Sequence, residues 1–337
     1  MEEKVIYPFR HPTTCAFLDD NTSFLKGVDL AMDPKLAYVA FENEHRAIRY
    51  INQSPELPHL SDRLVAQREA SILPEQRGIA LDSQLLEQEI NNPERFHQIS
   101  VVVVDYSMPN IDGIGFCNAI DNPSVGKILL TGAADEATAV SAFNRGEIDR
   151  FVPKNITNCL EQVKQFISEL ESRYFENMIS NTRNSLTTNT PSYFSDQQFR
   201  DSFSAFRSEI GCTEYYFVTE PEGFLILDGA GRMFRLIVSS TADLTNQLAL
   251  ASRKGAPDSI LDKLRSRELM PFSLVNEETY ETGEYHWEEN LFPARSIGVG
   301  SDWFMTLVPD PPLDIDFSAN RCSYNVYLEA LDLVHEE

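Results

Sequence analysis

The sequence predicts an α/β first half, a doubly wound sheet of five parallel strands, followed by an α+β second half with an antiparallel sheet. Three observations carry this. Four consecutive valines, Val101 to Val104, run straight into Asp105, and the run then breaks at Pro109 and Gly113. A short unbroken β-branched run marks a strand buried on both faces of a parallel sheet. Around it, apolar runs alternate with helical patterns, the order from which parallel sheets are wound. Further on, GFLILDGAGRMFRLIVSS reads as two apolar strands around a glycine-rich turn, the local pattern of a β-hairpin.

Taken in order, Thr13 to Leu18 is the first strand and ends on the pair Asp19-Asp20. Asn21, Thr22 and Ser23 are cap residues for a helix from Phe24 to Met32. Leu36 to Phe41 is a second strand and Glu44 to Asn52 a second helix. The valine run is the third strand, with a helix over Gly115 to Ile120 behind it. Lys127 to Leu130 is the fourth strand and ends on Thr131; Asp135 to Asn144 is helical and stops at Gly146. Asp149 to Val152 is the fifth strand, ending on Pro153-Lys154.

Asp19, Asp20, Asp105, Thr131 and Lys154 therefore sit at carboxyl ends of strands, where open α/β sheets place their ligand crevice. Each acid alone reads equally as a helix cap or an Asx turn. For four independent strand ends to carry such residues by capping alone would need a coincidence. Carboxylates held close together repel one another unless a cation lies between them, and open oxygen ligand sets suit Mg2+. Lys154 supplies a point charge for phosphoryl oxygens and Thr131 a hydroxyl donor. Such a set is suited to placing a phosphoryl group on a carboxylate.

Residues 13 to 155 resemble the receiver domain of two-component response regulators, the CheY-like, flavodoxin-like fold. The matching residues are Asp19 and Asp20, Asp105 in VVVVDYSMPNIDG, Thr131 in LLTG and Lys154 in FVPK. The resemblance implies that Asp105 is the phospho-acceptor. It also implies that Asp20, Asp105 and the Ser107 backbone carbonyl bind Mg2+ directly, with Asp19 acting through water. Thr131 becomes the switch hydroxyl, Lys154 the phosphoryl-binding cation and Phe151 the switch aromatic. A sensor histidine kinase or phosphotransfer protein is the implied donor. Two departures stand out. Pro153 precedes Lys154, where receivers usually show Lys-Pro, and the Asn155 that follows favours a trans bond. The other is an insertion over about residues 54 to 97, with helical patterns around Leu60 to Ile72 and Ser83 to Asn91. It reads as a partner-reading or dimer-bracing device, or equally as a decorated surface loop.

Residues 156 to 190 are expected to form a connector. A long helix from Ile156 to about Asn181 carries Leu160, Val163, Ile167, Leu170 and Tyr174 at near-heptad spacing, followed by a polar linker. The seam predicts a homodimer through a two-stranded coiled coil; the alternative is a helix laid against the chain's own second domain. An N-terminal tail (1 to 12) and an output domain (191 to 337) complete the division. In the output domain the pattern predicts helices at Gln197 to Ile210, Ala242 to Lys254 and Pro257 to Ser266. Strands are expected at Phe272 to Val275 and Trp303 to Val308, and a closing helix at Arg321 to Val334. His286 among Glu288 and Glu289 reads as a surface turn rather than a metal ligand.

A length of 337 residues fits two domains. The formal net charge of -24 argues against DNA and against anionic membranes as partners, since phosphate neutralisation dominates nucleic-acid affinity. No apolar run approaches a membrane span, no export signal stands at the start, and the five cysteines lack disulfide or zinc spacing. A cytoplasmic protein is expected. The second half shows no helix-turn-helix with a basic face and no nucleotide-binding or metal-nuclease motif, so output by protein or small-ligand binding is expected. A receiver-controlled transcription factor or a nucleotide- or nucleic-acid-acting output enzyme is the alternative; primary enzymatic activity is not expected. The layout of receiver, long helix and separate output is similar to stand-alone response regulators of the Legionella quorum-sensing type.

Overall fold

The computed structural model describes residues 6–53, 60, 83–132, 135–185, 191–219, 221–272, 287–298, 300–311 and 315–335. The chain divides into two units. The first to be described takes the chain from His11, from Asn92 and from Tyr324; the second takes the chain up to Arg10, the segment ending at Asn91 and the stretch ending at Ser323.

The first unit is a five-stranded parallel sheet. Its strands are β1 (Thr14–Leu18), β2 (Tyr38–Phe41), β3 (Ile99–Asp105), β4 (Gly126–Thr131) and β5 (Arg150–Pro153), ordered β2-β1-β3-β4-β5. All seven residues of β3 are buried, which is why its sequence is uniformly apolar up to the terminal acid. Helices α1 (Thr22–Ala31), α2 (Glu44–Ile51), α3 (Gly113–Asn118), α4 (Glu136–Asn144) and α5 (Cys159–Ser185) cover the two faces. This is the CheY-like receiver architecture.

Helix α5 corrects the seam expectation. Val163, Ile167 and Leu170 are buried against Val101, Val103, Ile128, Leu130 and Val152 of the helix's own sheet, with Leu160 packed beside them. Gly126 permits this approach, since a Cβ there would lie 2.7 Å from the Leu170 Cβ. Tyr174 is 1% exposed and set edge-on to Phe175. Val163, Ile167, Leu170 and Tyr174 are thus buried within one chain and Leu160 is partly covered, so the stripe is not free to serve as the seam of a two-stranded coiled coil. Over so short a helix a heptad drifts only about 20° per repeat from an ordinary amphipathic stripe, so spacing alone cannot separate the two.

Both ends of the chain also depart from the expected division. The segment expected as a tail supplies a two-residue strand, Phe9–Arg10, paired antiparallel with Tyr215 and Tyr216, and Ile6, Tyr7 and Phe9 are buried. The closing helix, Tyr324–His335, belongs to the receiver unit rather than to the output domain. Tyr324, Tyr327 and Leu331 enter the core with Ala16, Val39, Phe96 and Val102. The insertion contributes to both units: Phe96 in the turn Pro93–His97 is fully buried in the receiver core. Helix Ser83–Ile90 lies in the second unit, where Asn91 donates to the Asp316 carbonyl at 2.6 Å and accepts from the Ser318 N–H. The helical pattern expected at Leu60 to Ile72 lies almost wholly outside the described residues.

The second unit is a six-stranded antiparallel sheet whose long members are β6 (Cys212–Thr219), β7 (Glu222–Asp228), β8 (Met233–Ser240) and β9 (Trp303–Pro309). The β7–β8 turn is closed by Asp228, whose carboxylate accepts from the Ala230 and Arg232 N–H groups, so the glycine-rich tip is a turn. Helix α6 (Gln197–Glu209) lays Phe199, Phe203 and Phe206 on one sheet face. Helices α7 (Thr241–Arg253) and α8 (Asp258–Arg265) follow β8. A short strand, Leu269–Pro271, precedes the position expected for Phe272 to Val275; Phe272 is buried, and residues 273–286, including His286, lie outside the described residues.

Candidate functional site

The strand order β1-β3-β4-β5 sets four consecutive carboxyl ends side by side, and the crevice opens between β1 and β3, where the winding direction reverses. Asp19 follows β1, Asp105 ends β3, Thr131 ends β4 and Lys154 follows β5. The register holds them level: Asp105 lies opposite Leu130, and the Lys154 N–H donates to the Thr131 carbonyl at 2.9 Å.

Lys154 bridges the two buried acids. Its Nζ lies 2.6 Å from Asp19 Oδ2 and 2.9 Å from Asp105 Oδ1, and these side chains are 1% and 9% exposed against 24% for the lysine. The other oxygen of Asp19 accepts from the Asn21 N–H at 2.9 Å. Asp20 is exposed, yet its carboxylate stands with those of Asp19 and Asp105 within 4.8 Å of one another. Burial pushes the Asp19 carboxyl above the ordinary carboxylate range, partly offset by hydrogen bonds from Lys154 and Asn21. Burial opposes the charged form of Lys154 as well, but the hydrogen bonds and charges of Asp19 and Asp105 outweigh it and hold the ammonium above the usual lysine value.

Two features show that this cluster fits a divalent cation and a phosphoryl group. Three hard carboxylate donors stand within 4.8 Å of one another, a set that suits an oxygen-seeking cation such as Mg2+. Thr131 Oγ1 is fully buried with no hydrogen-bond partner among the described residues, a donor left without an acceptor. Ser107 is exposed in the loop after Asp105. The same loop is drawn tight because Gly113 passes the Asp105 carbonyl so closely that a Cβ would lie 2.5 Å from it. Phe151 is half-buried and meets Phe143 edge-on at 6.4 Å. Sequence reasoning missed Glu44, which accepts a hydrogen bond from the Asn110 side chain in the loop that follows Asp105. At the sequence level it is only an acidic first-turn residue of α2 behind the Asn43 cap.

The ion-pair geometry predicts a measurable stability effect. Lys154→Ala leaves Asp19 buried without its counter-charge, which costs about 2–3 kcal/mol at neutral pH, discounted from the fully buried case because the lysine is partly exposed. The sign with pH follows from Asp19. Its folded value is raised, so the folded chain binds more protons in that window and stability falls as pH rises through it. Removing Lys154 deepens this, so the deficit of the variant should shrink on acidification as Asp19 takes its proton. Urea unfolding of metal-free protein at neutral and mildly acidic pH checks it; equal stability of the two chains at neutral pH would contradict the assignment.

No protein-family model matches the chain, and no curated protein matches it in sequence. Among solved structures, the Legionella pneumophila response regulator LqsR matches at 30% identity over 96% of each chain, with a TM-score of 0.72. This chain belongs to the response-regulator family. The response regulator is also similar to an adenylate cyclase from Rhodopirellula baltica (19% identity, 52% of this chain and 99% of that one, TM-score 0.36). A receiver domain protein from Clostridium thermocellum matches at 15% identity over 51% of this chain and 98% of that one, with a TM-score of 0.29. Scores that low are similarities only. As a two-component response regulator the chain carries its receiver in the parallel-sheet unit, and no described helix is long and apolar enough to cross a membrane.

Proposed function

We propose that this response regulator accepts a phosphoryl group on Asp105 from a sensor histidine kinase or phosphotransfer protein, and that the modified receiver alters what its second unit binds. The observation that carries the reading is the Lys154 ammonium bridging Asp19 and Asp105 beside the Thr131 hydroxyl, which has no hydrogen-bond partner among the described residues. An Asp105 carboxylate oxygen attacks phosphorus, the bond to the donor nitrogen breaks, and the donor imidazole keeps the electron pair and takes a proton. Asp19, Asp20, Asp105 and the Ser107 carbonyl would hold Mg2+, which when bound supplies positive charge against the phosphoryl oxygens. Lys154 adds its own charge, and Thr131 is the donor that turns to a phosphoryl oxygen. The new group brings about -1.5 to -2 in charge to a crevice already acidic, and Phe151, half-buried behind Thr131's strand, is the aromatic that repacks.

Output by protein or small-ligand binding is part of the same proposal. Support comes from the formal net charge of -24, which disfavours polyanions. A place in quorum sensing rests on the resemblance of layout alone. The test is intact-mass measurement after incubation with acetyl phosphate and Mg2+: one phosphoryl adduct is expected, and none when a chelator replaces the metal. No adduct in either sample would refute the reading.

A further inference from the structure

We propose that Phe24 is a positioning residue for Lys154, its ring face holding the ammonium at the acceptor carboxylate by a cation–π contact. The proposal rests on Asp105 being the acceptor and adds a residue that neither the sequence motifs nor the acid cluster contains. The Lys154 Nζ lies 4.8 Å from the centroid of the Phe24 ring, inside the roughly 6 Å over which an ammonium is attracted to an aromatic face. Two of the three ammonium donors are engaged by Asp19 and Asp105. Among the described residues no third oxygen acceptor meets it.

One short segment sets both walls of this pocket. Asp19 accepts from the Asn21 N–H at 2.9 Å, and the Asn21 side chain in turn accepts from the N–H groups of Ser23 and Phe24 at 3.0 and 3.3 Å. The cap that starts α1 thus fixes the carboxylate on one side of the lysine and the ring on another. The contact matters because the two carboxylates cannot keep the lysine in place throughout the reaction. When a phosphoryl group arrives, the ammonium must exchange Asp105 Oδ1 for a phosphoryl oxygen. The ring neither titrates nor becomes modified, so it holds the ammonium beside the acceptor through that exchange.

A purely packing role is the competing account, since Phe24 also borders the apolar cluster under α1. Fluorination separates the two: it keeps ring size and shape while draining the negative face. The full chain would be made as wild type, Phe24→Leu, Phe24→Trp and with mono-, di- and trifluorophenylalanine at position 24. In metal-free protein, the Lys154 ε-methylene proton resonance should lie upfield in wild type, from the ring current, and return to an ordinary lysine position in Phe24→Leu. With acetyl phosphate and Mg2+, uptake should slow about three- to tenfold in Phe24→Leu. It should stay near wild type in Phe24→Trp and fall stepwise with fluorination. An unshifted Lys154 resonance, or fluorinated chains that react as fast as wild type, would overturn the proposal. Failure of wild type to take up a phosphoryl group would instead refute the Asp105 reading, and the resonance would still decide the Phe24 contact.

Discussion

Asp105→Asn should lose phosphoryl uptake from acetyl phosphate by roughly three orders of magnitude or more, the scale on which removal of a single nucleophile acts. The amide keeps the size of the carboxylate and an oxygen for the 2.9 Å contact with Lys154, but it offers no anionic oxygen to phosphorus. The fold should survive. The substitution removes one of three mutually repelling charges packed within 4.8 Å, so in metal-free conditions the variant should be as stable as wild type or slightly more so. Loss of uptake together with retained or raised thermal stability separates a missing nucleophile from a damaged domain. Labelling of the asparagine variant at the wild-type rate and stoichiometry would place the acceptor on another residue.

Deleting residues 324 to 337 should unfold the receiver unit, although it is the far end of the chain that is removed. The Tyr327 hydroxyl lies 2.6 Å from that of Thr14 in β1. Tyr324 donates to the Lys35 carbonyl at 2.7 Å and accepts from the Ala37 N–H at 3.0 Å. Both rings pack on Phe96, with centroids 5.2 and 5.5 Å away. Loss of one large buried aromatic costs about 3–5 kcal/mol, against a total stability of about 5–15 kcal/mol for a domain. A milder variant, Tyr327→Ala, should lower the protection of the Val101 to Val104 amides against hydrogen exchange by about two to three orders of magnitude. Amides of Leu225 to Leu227 in the second unit serve as the internal reference. Unchanged protection at the valines would show the helix to be an ornament on a self-sufficient receiver.

The receiver was legible because its determinants are local. Val101 to Val104 read as a strand covered on both faces, and Asp19, Asp105, Thr131 and Lys154 each stand one or two residues beyond a strand's apolar run. Once the strands are parallel and wound in that order, sheet geometry alone brings those ends together. Period and punctuation therefore determined the fold class and which residues meet in the crevice, the hairpin turn at Asp228 included.

Other matters needed the tertiary structure, because the same local signal admits more than one partner. Leu160 to Leu170 form an apolar stripe whether it faces a second helix or the chain's own sheet, and only the folded chain shows the sheet. Phe9 and Tyr327 are apolar residues near opposite ends, and nothing in their neighbourhoods says that the first completes the antiparallel unit and the second the parallel one. Phe24 reads as an ordinary first-turn residue of α1 until the ammonium of Lys154, 130 positions on by residue number, is seen over its ring. Hydrophobicity has magnitude and period but no address, so which apolar face meets which is settled by the three-dimensional fit of the whole chain.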